Sequence, residues 1–157
     1  MHNFSQSQAI GHRAERLVYM ELQARNYHPQ YYPNFNQEGC DLKVNGLPVE
    51  VKFAHKTRRY CKGKKYHRWQ WCIHPTSQNI TGDWLLILVA QTGPLENWFY
   101  VMPGSVVGDR TQIQLTSHPK KYSGWLSEWL NRWDVITYLS NGVYKNGGPL
   151  FHQLGVA

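Results

Sequence analysis

The chain is poor in cysteine, in acidic residues and in long apolar runs, and each shortage removes a class of protein. Cys40, Cys61 and Cys72 are an odd count with no CxxC pair. That argues against a disulfide framework and a zinc ribbon, and fits reduced thiols in a cytoplasmic setting. His55, Cys61, His67, Cys72 and His74 are scattered at spacings that match no common structural zinc site. The longest apolar run, Trp84 to Ala90, is far too short to span a bilayer. No basic n-region followed by an apolar stretch opens the chain, so a soluble, non-exported protein without membrane association is expected. Internal repeats and low-complexity tracts are also missing.

Acidic residues are scarce in a particular place. The chain has 17 Lys and Arg against 10 Asp and Glu, a formal charge of +7. Between Lys52 and Arg68 there are eight basic residues and no acidic one, which leaves nine basic and ten acidic elsewhere. All the excess positive charge therefore sits in one segment, as a polyanion-binding surface requires; a merely solvated lysine-rich loop is the bland reading. What is abundant is aromatic: seven Trp and ten Tyr in 157 residues, with 41% hydrophobic content, exclude a disordered chain. One domain spanning residues 1–157 is expected from this length.

The stretch Gly39-Cys-Asp-Leu-Lys-Val-Asn-Gly-Leu-Pro-Val-Glu-Val-Lys-Phe53 reads as a β-hairpin. Asn45-Gly46 suits a two-residue type I′ turn, which needs positive φ at both central positions. That turn pairs Val44 with Leu47, Lys43 with Pro48, Leu42 with Val49 and Asp41 with Glu50. Pro48 then falls at a position that needs no ladder N–H. Alternation places Leu42, Val44, Leu47, Val49, Val51 and Phe53 on one side, and Asp41, Lys43, Pro48, Glu50 and Lys52 on the other. Two facing carboxylates repel, and a hard divalent cation with oxygen ligands would offset that repulsion. Lys52 would direct an ammonium group into the same site.

A helix is predicted from about Gln6 to Arg25, capped by Ser5 or Ser7, with Ser5 and Gln8 at capping-box spacing. Its buried stripe is Ile10, Ala14, Leu17, Val18 and Leu22, and Glu15 lies at the stripe's border. Glu15 is thus either an ordinary boundary glutamate or a third carboxylate for the hairpin site. Residues 26 to 39 form a turn-rich connector with a short strand around Tyr31 and Tyr32. The basic segment reads as an exposed loop or lid whose Tyr60 and Tyr66 can stack on bases or pack on the domain. Residues 67 to 74 alternate as a strand, with Trp69, Trp71 and Ile73 on one side and Gln70 on the polar side. Trp84 to Ala90 is a buried strand, Trp98 to Met102 another, and Ile113 to Leu115 a short edge strand. Trp125, Leu126, Trp129, Leu130 and Trp133 recur at helical spacing, predicting a helix from about Ser123 towards Leu139 packed on the sheet. The Gly-rich tail from Asn141 is expected to be loosely held.

A helical Glu15 within Gly11-x-x-Ala14-Glu15, then Gly39-x-Asp41-Leu42, then Val49-Glu50-Val51-Lys52, then a strand bearing Gln70, resembles the PD-(D/E)xK nuclease superfamily. The likeness covers roughly residues 6 to 102 and is most similar to Holliday-junction resolvases and compact homing or restriction endonucleases. Cys40 stands where the motif's proline would be, a position with no catalytic group. The resemblance implies an α/β fold with a restriction-endonuclease-like core, a mixed central β-sheet flanked by helices. It implies an Mg²⁺-dependent DNA endonuclease, with Mn²⁺ as a substitute, that leaves a 5′-phosphate and a 3′-hydroxyl. Asp41, Glu50 and the Val51 carbonyl would hold the metal, Glu15 a second metal or a metal-bound water, Lys52 the attacking water, and Gln70 would be accessory. Lys56, Arg58, Arg59, Lys62, Lys64, Lys65 and Arg68 would neutralise phosphates of double-stranded or branched DNA. A homodimer or higher homo-oligomer is expected because cutting two strands takes two sites. The competing readings are a non-catalytic DNA-binding protein on a nuclease-like scaffold and a structural or inhibitor protein whose charged hairpin face is only surface.

Overall fold

The computed structural model describes residues 6–31, 41–73 and 82–141. Ser5, the hairpin's Gly39 and Cys40, His74 and the tail beyond Asn141 lie outside those residues. Helix α1 (Gln6–Ala24) comes first. Strands β1 (Gln30–Tyr31), β2 (Leu42–Val44), β3 (Leu47–His55), β4 (Thr57–Cys61), β5 (Lys64–Cys72), β6 (Leu85–Gly93), β7 (Glu96–Pro103) and β8 (Gln112–Leu115) follow, and a short α2 (Val135–Ser140) closes the described chain. Five strands form a mixed central sheet in the order β1-β2-β3-β6-β7, and β4-β5-β8 form a second, three-stranded sheet. Among the described strands of this central sheet only the β3–β6 pair is parallel; β1–β2, β2–β3 and β6–β7 are antiparallel.

β6 is the middle of the core because its sequence has no polar face to offer. Leu85, Leu86, Ile87, Leu88, Val89 and Ala90 are all fully buried, and the strand is paired on both edges. Each large aliphatic side chain hidden in this way contributes roughly 1.5–3 kcal/mol. α1 buries Ala14, Val18 and Leu22, spaced four apart, and packs across β3. It ends where Asn26 takes a positive φ of 65°, while the Tyr27 amide bonds back to the Leu22 carbonyl at 2.9 Å. The Tyr27 hydroxyl then ties this end to the C-terminal region, donating to the Trp133 carbonyl at 3.2 Å and sharing a 3.2 Å bond with Thr137 Oγ1.

The second sheet is fixed to the first by two tryptophans. Trp69 and Trp71 are buried, and their indole N–H groups donate to the carbonyls of Gln91 (2.8 Å) and Val89 (3.2 Å) on β6. Both rings thereby bury a large apolar surface without leaving a polar atom unsatisfied. At the far end of β6, Gly104 lies under the Trp84 indole so closely that any Cβ there would collide with the ring.

Two expectations are corrected. The basic segment is not a loop: Thr57–Cys61 and Lys64–Cys72 pair in register across a two-residue turn at Lys62-Gly63, with φ of 49° and 74°. The tryptophan stripe is not one helix. It forms a 3-10 turn over Trp125–Trp129, breaks, and resumes as α2. The break occurs because Leu130 is drawn into an antiparallel bridge with Tyr100, and Asn131, at φ 54°, donates its amide to the Phe99 carbonyl at 2.8 Å. Bonding to β7 replaces the helical hydrogen bonds that these residues would have made.

Candidate active site

The site is built on the β2–β3 hairpin. Asn45 and Gly46 carry φ of 49° and 79°, and the observed pairs are Leu42 with Val49, Lys43 with Pro48 and Val44 with Leu47, as the turn chemistry predicts. Beyond Leu42 the regular ladder stops. The Asp41 amide donates to the Val49 carbonyl at 2.8 Å, and its side chain takes over as ladder partner: Oδ2 accepts the Val51 amide at 2.8 Å. That bond holds the Asp41 carboxylate against the Glu50-Val51-Lys52 stretch of β3.

Glu50 sits on β3, the central strand of the five, paired along β3–β6 with Leu86, and is only 5% exposed. Sequence alternation placed it on a charged surface, yet among the described residues it is the one charged residue that is buried. Its Oε1 lies 2.9 Å from Lys52 Nζ. Its Oε2 is shielded from solvent and has no hydrogen-bond partner among the described residues. An unpaired carboxylate oxygen at this depth is costly unless a ligand completes it.

Electrostatics join the remaining carboxylates to this pair. The Asp41 carboxyl is pushed up to about 6, mainly by burial; the Val51 amide opposes the shift, Glu15 and Glu50 add to it, and Lys52 opposes it. Glu15 of α1 is thus among the charges that Asp41 feels. Glu15 Oε2 also faces His12 Nδ1 at 3.4 Å, and with His12, Arg16 and Tyr31 it borders a cavity of about 170 Å³. His12 was not singled out from sequence, although its i,i+3 spacing to Glu15 on one helix was the available signal. Among the described residues, no three of His, Cys, Asp and Glu close around one point.

Oxygen donors nevertheless fit a hard cation: the Asp41 carboxylate, Glu50 Oε2 and the Val51 carbonyl come from adjacent positions of one hairpin, with Lys52 on the opposite oxygen of Glu50. Gln70 has a different engagement. It lies on β5 opposite Gln114 of β8, and its Nε2 donates to Gln112 Oε1 at 2.8 Å. Of the predicted phosphate contacts, Arg58, Arg59, Lys62, Lys64 and Lys65 are exposed along the β4–β5 hairpin, Lys56 is exposed where β3 passes into β4, and Arg68 is half-buried.

Comparison with known proteins places the fold but not a family. No protein-family model matches the chain, and no curated protein matches it. Among solved structures, that of a bacterial homing endonuclease is similar, with a TM-score of 0.62 at 17% sequence identity, covering 91% of this chain and 100% of that one. At such identity the likeness is one of fold: a mixed central sheet with few helices. No helix among the described residues is long and apolar enough to cross a membrane.

Proposed function

We propose that this protein is a metal-dependent DNA endonuclease of the PD-(D/E)xK kind, hydrolysing a phosphodiester bond to leave a 5′-phosphate and a 3′-hydroxyl. The observation that carries the reading is Glu50, buried in mid-sheet with one oxygen on Lys52 and the other without a partner, beside an Asp41 held in place by the Val51 amide. The fold likeness to a homing endonuclease supports the same chemistry.

Asp41, Glu50 and the Val51 carbonyl would hold Mg²⁺, or Mn²⁺ in its place, with Glu15 acting through an intervening water. When bound, the ion would supply Lewis acidity at the scissile phosphate and make water a better nucleophile. Lys52, fixed by Glu50 Oε1, presents its ammonium group beside the carboxylates, where it can orient the attacking water and stabilise charge developing on the phosphoryl oxygens. Asp41, locked through Oδ2, keeps its second oxygen aimed by the hairpin rather than by a free rotamer. The β4–β5 hairpin, continuous with β3 through Lys56, would carry the substrate's phosphates on Arg58, Arg59, Lys62, Lys64, Lys65 and Arg68. Gln70, bonded to Gln112, is given no step. Double-stranded or branched DNA is the substrate, and a homodimer or higher homo-oligomer would supply one site per strand.

The test is to incubate the protein with supercoiled, linear and four-way-junction DNA, with and without Mg²⁺. Cleavage should require the metal and be lost in Asp41→Ala and Lys52→Ala. If both variants cut as well as the parent, the site is wrongly assigned. Salt-sensitive DNA binding without cleavage by the parent would favour the non-catalytic scaffold instead.

A further inference from the structure

The second sheet has one face committed to the core and another whose described residues are half-buried or exposed. Trp69, Trp71, Ile113 and Leu115 are buried and share one side of β5 and β8. Strand alternation then puts Arg68 and Gln70, with Gln112 and Gln114, on the opposite side, and the β4–β5 register adds Arg59 opposite Tyr66 to the same face. The face carries guanidinium, amide and phenol groups and no carboxylate. A sheet face that is merely solvated normally mixes both signs of charge. Its guanidinium, amide and phenol groups are of types that hydrogen-bond to base edges or phosphates, and Thr57, Lys64 and the Cys61 and Cys72 thiols share the face with them.

Two details make the row more specific. Gln70 Nε2 donates to Gln112 Oε1, so Gln70 Oε1 and Gln112 Nε2 are left as a neighbouring acceptor and donor. That is the complement of the N6 donor and N7 acceptor which adenine shows in the major groove. Arg68 Nε is shielded from solvent and has no partner among the described residues, although the residue itself is only half-buried. The face also narrows from three strands to the two-stranded β4–β5 ribbon, and a ribbon of that width enters the major groove of B-DNA.

We infer that the outward face of β4-β5-β8 reads the major groove of duplex DNA, with the Gln70–Gln112 amide pair recognising adenine and Arg59 and Arg68 recognising guanine. The inference rests on the proposed nuclease reading only for the identity of the polymer. It gives Gln70 a place in sequence recognition rather than in the chemistry, and moves Arg59 and Arg68 from the phosphate-contacting set to base contacts.

The test is selection of bound sequences from a randomised duplex pool with metal withheld by EDTA, so that binding is read without cleavage. The parent should enrich a defined sequence. Gln70→Ala combined with Gln112→Ala should lose preference at an adenine position by about tenfold to a hundredfold, while binding random duplex with nearly unchanged affinity. Arg59→Ala should relax a different position. Circular dichroism and thermal melting report whether each variant is folded, and Gln112→Ala alone, at an exposed edge strand, serves if the double variant is not. Random enrichment by the parent, unchanged preferences in folded variants, or tighter binding to single strands than to duplex would each overturn the inference. The nuclease reading fails separately: a parent that enriches a sequence yet cuts nothing in Mg²⁺ sinks that reading and leaves this one standing.

Discussion

Lys52 Nζ and Glu50 Oε1 are 2.9 Å apart on the same strand, and Glu50 is far the more deeply buried of the two, its side chain 6% exposed against 22% for Lys52. The lysine therefore offsets a charge that the sheet would otherwise bury alone. Removing one partner of a fully buried ion pair costs about 3–5 kcal/mol, because the remaining charge is left uncompensated. Partial exposure of Lys52 lowers that figure. Lys52→Met is expected to destabilise the metal-free protein by about 1–3 kcal/mol, and Glu50→Gln by clearly less, since it removes the deep charge itself. Urea titration in EDTA measures both; equal losses would show that Glu50 is not the buried partner.

Asp41 makes stability depend on pH. Its folded pKa, pushed up to about 6 mainly by burial, lies above the roughly 3.9 of an unfolded aspartate. Between those values the native chain binds more protons than the unfolded one, so this contribution is fully present below about pH 4 and is lost as pH rises through 6. At about 1.4 kcal/mol for each pH unit separating the two values, the loss approaches 3 kcal/mol. Melting curves from pH 4 to 7 in EDTA should fall more steeply for the parent than for Asp41→Asn. Mg²⁺ should restore stability mainly above pH 6, where the carboxylate is free to bind it.

The β4–β5 hairpin predicts a salt dependence. Arg58 lies opposite His67 and Tyr60 opposite Lys65, which puts Arg58 and Lys65 on the face away from Gln70. If both contact phosphates, Arg58→Ala with Lys65→Ala should weaken binding evenly across sequences. The slope of log affinity against log salt should shrink by up to about 2, at roughly 0.9 per phosphate contact. An unchanged slope from filter binding over a salt series would take these residues off the DNA path.

How much of this was legible beforehand depended on how strongly the local chemistry specified each element. Asn45-Gly46 fixed the hairpin register because turn type and alternation agreed, and β6 was plain because six consecutive apolar residues can only be interior. The β4–β5 hairpin was hidden for the opposite reason. β4 and the turn-proximal part of β5 are largely exposed on both faces, so apolar alternation marks only the Trp69–Trp71 end of β5, and the turn puts a lysine at φ 49°, where asparagine would have been the recognisable residue. Glu50 was read on the correct strand and beside the correct lysine, but its burial was invisible. That follows from α1 packing across β3 and β6 pairing along it, both long-range events.

The helix predicted over the tryptophan stripe failed at Leu130 and Asn131, and that failure is itself testable. Asn131 has φ 54°, in the left-handed region that asparagine and glycine tolerate and β-branched residues do not. Its amide bonds the Phe99 carbonyl at 2.8 Å, and Leu130 bridges Tyr100, so the strained residue is what lets β7 gain a partner at this edge. Asn131→Gly should be close to neutral, the relief of strain offsetting the entropy of glycine. Asn131→Val should cost about 1–3 kcal/mol and lower the melting temperature accordingly. Should Asn131→Val instead match the parent, or Asn131→Ala raise the helix content of residues 125–140, the bridge to β7 is not what interrupts the helix.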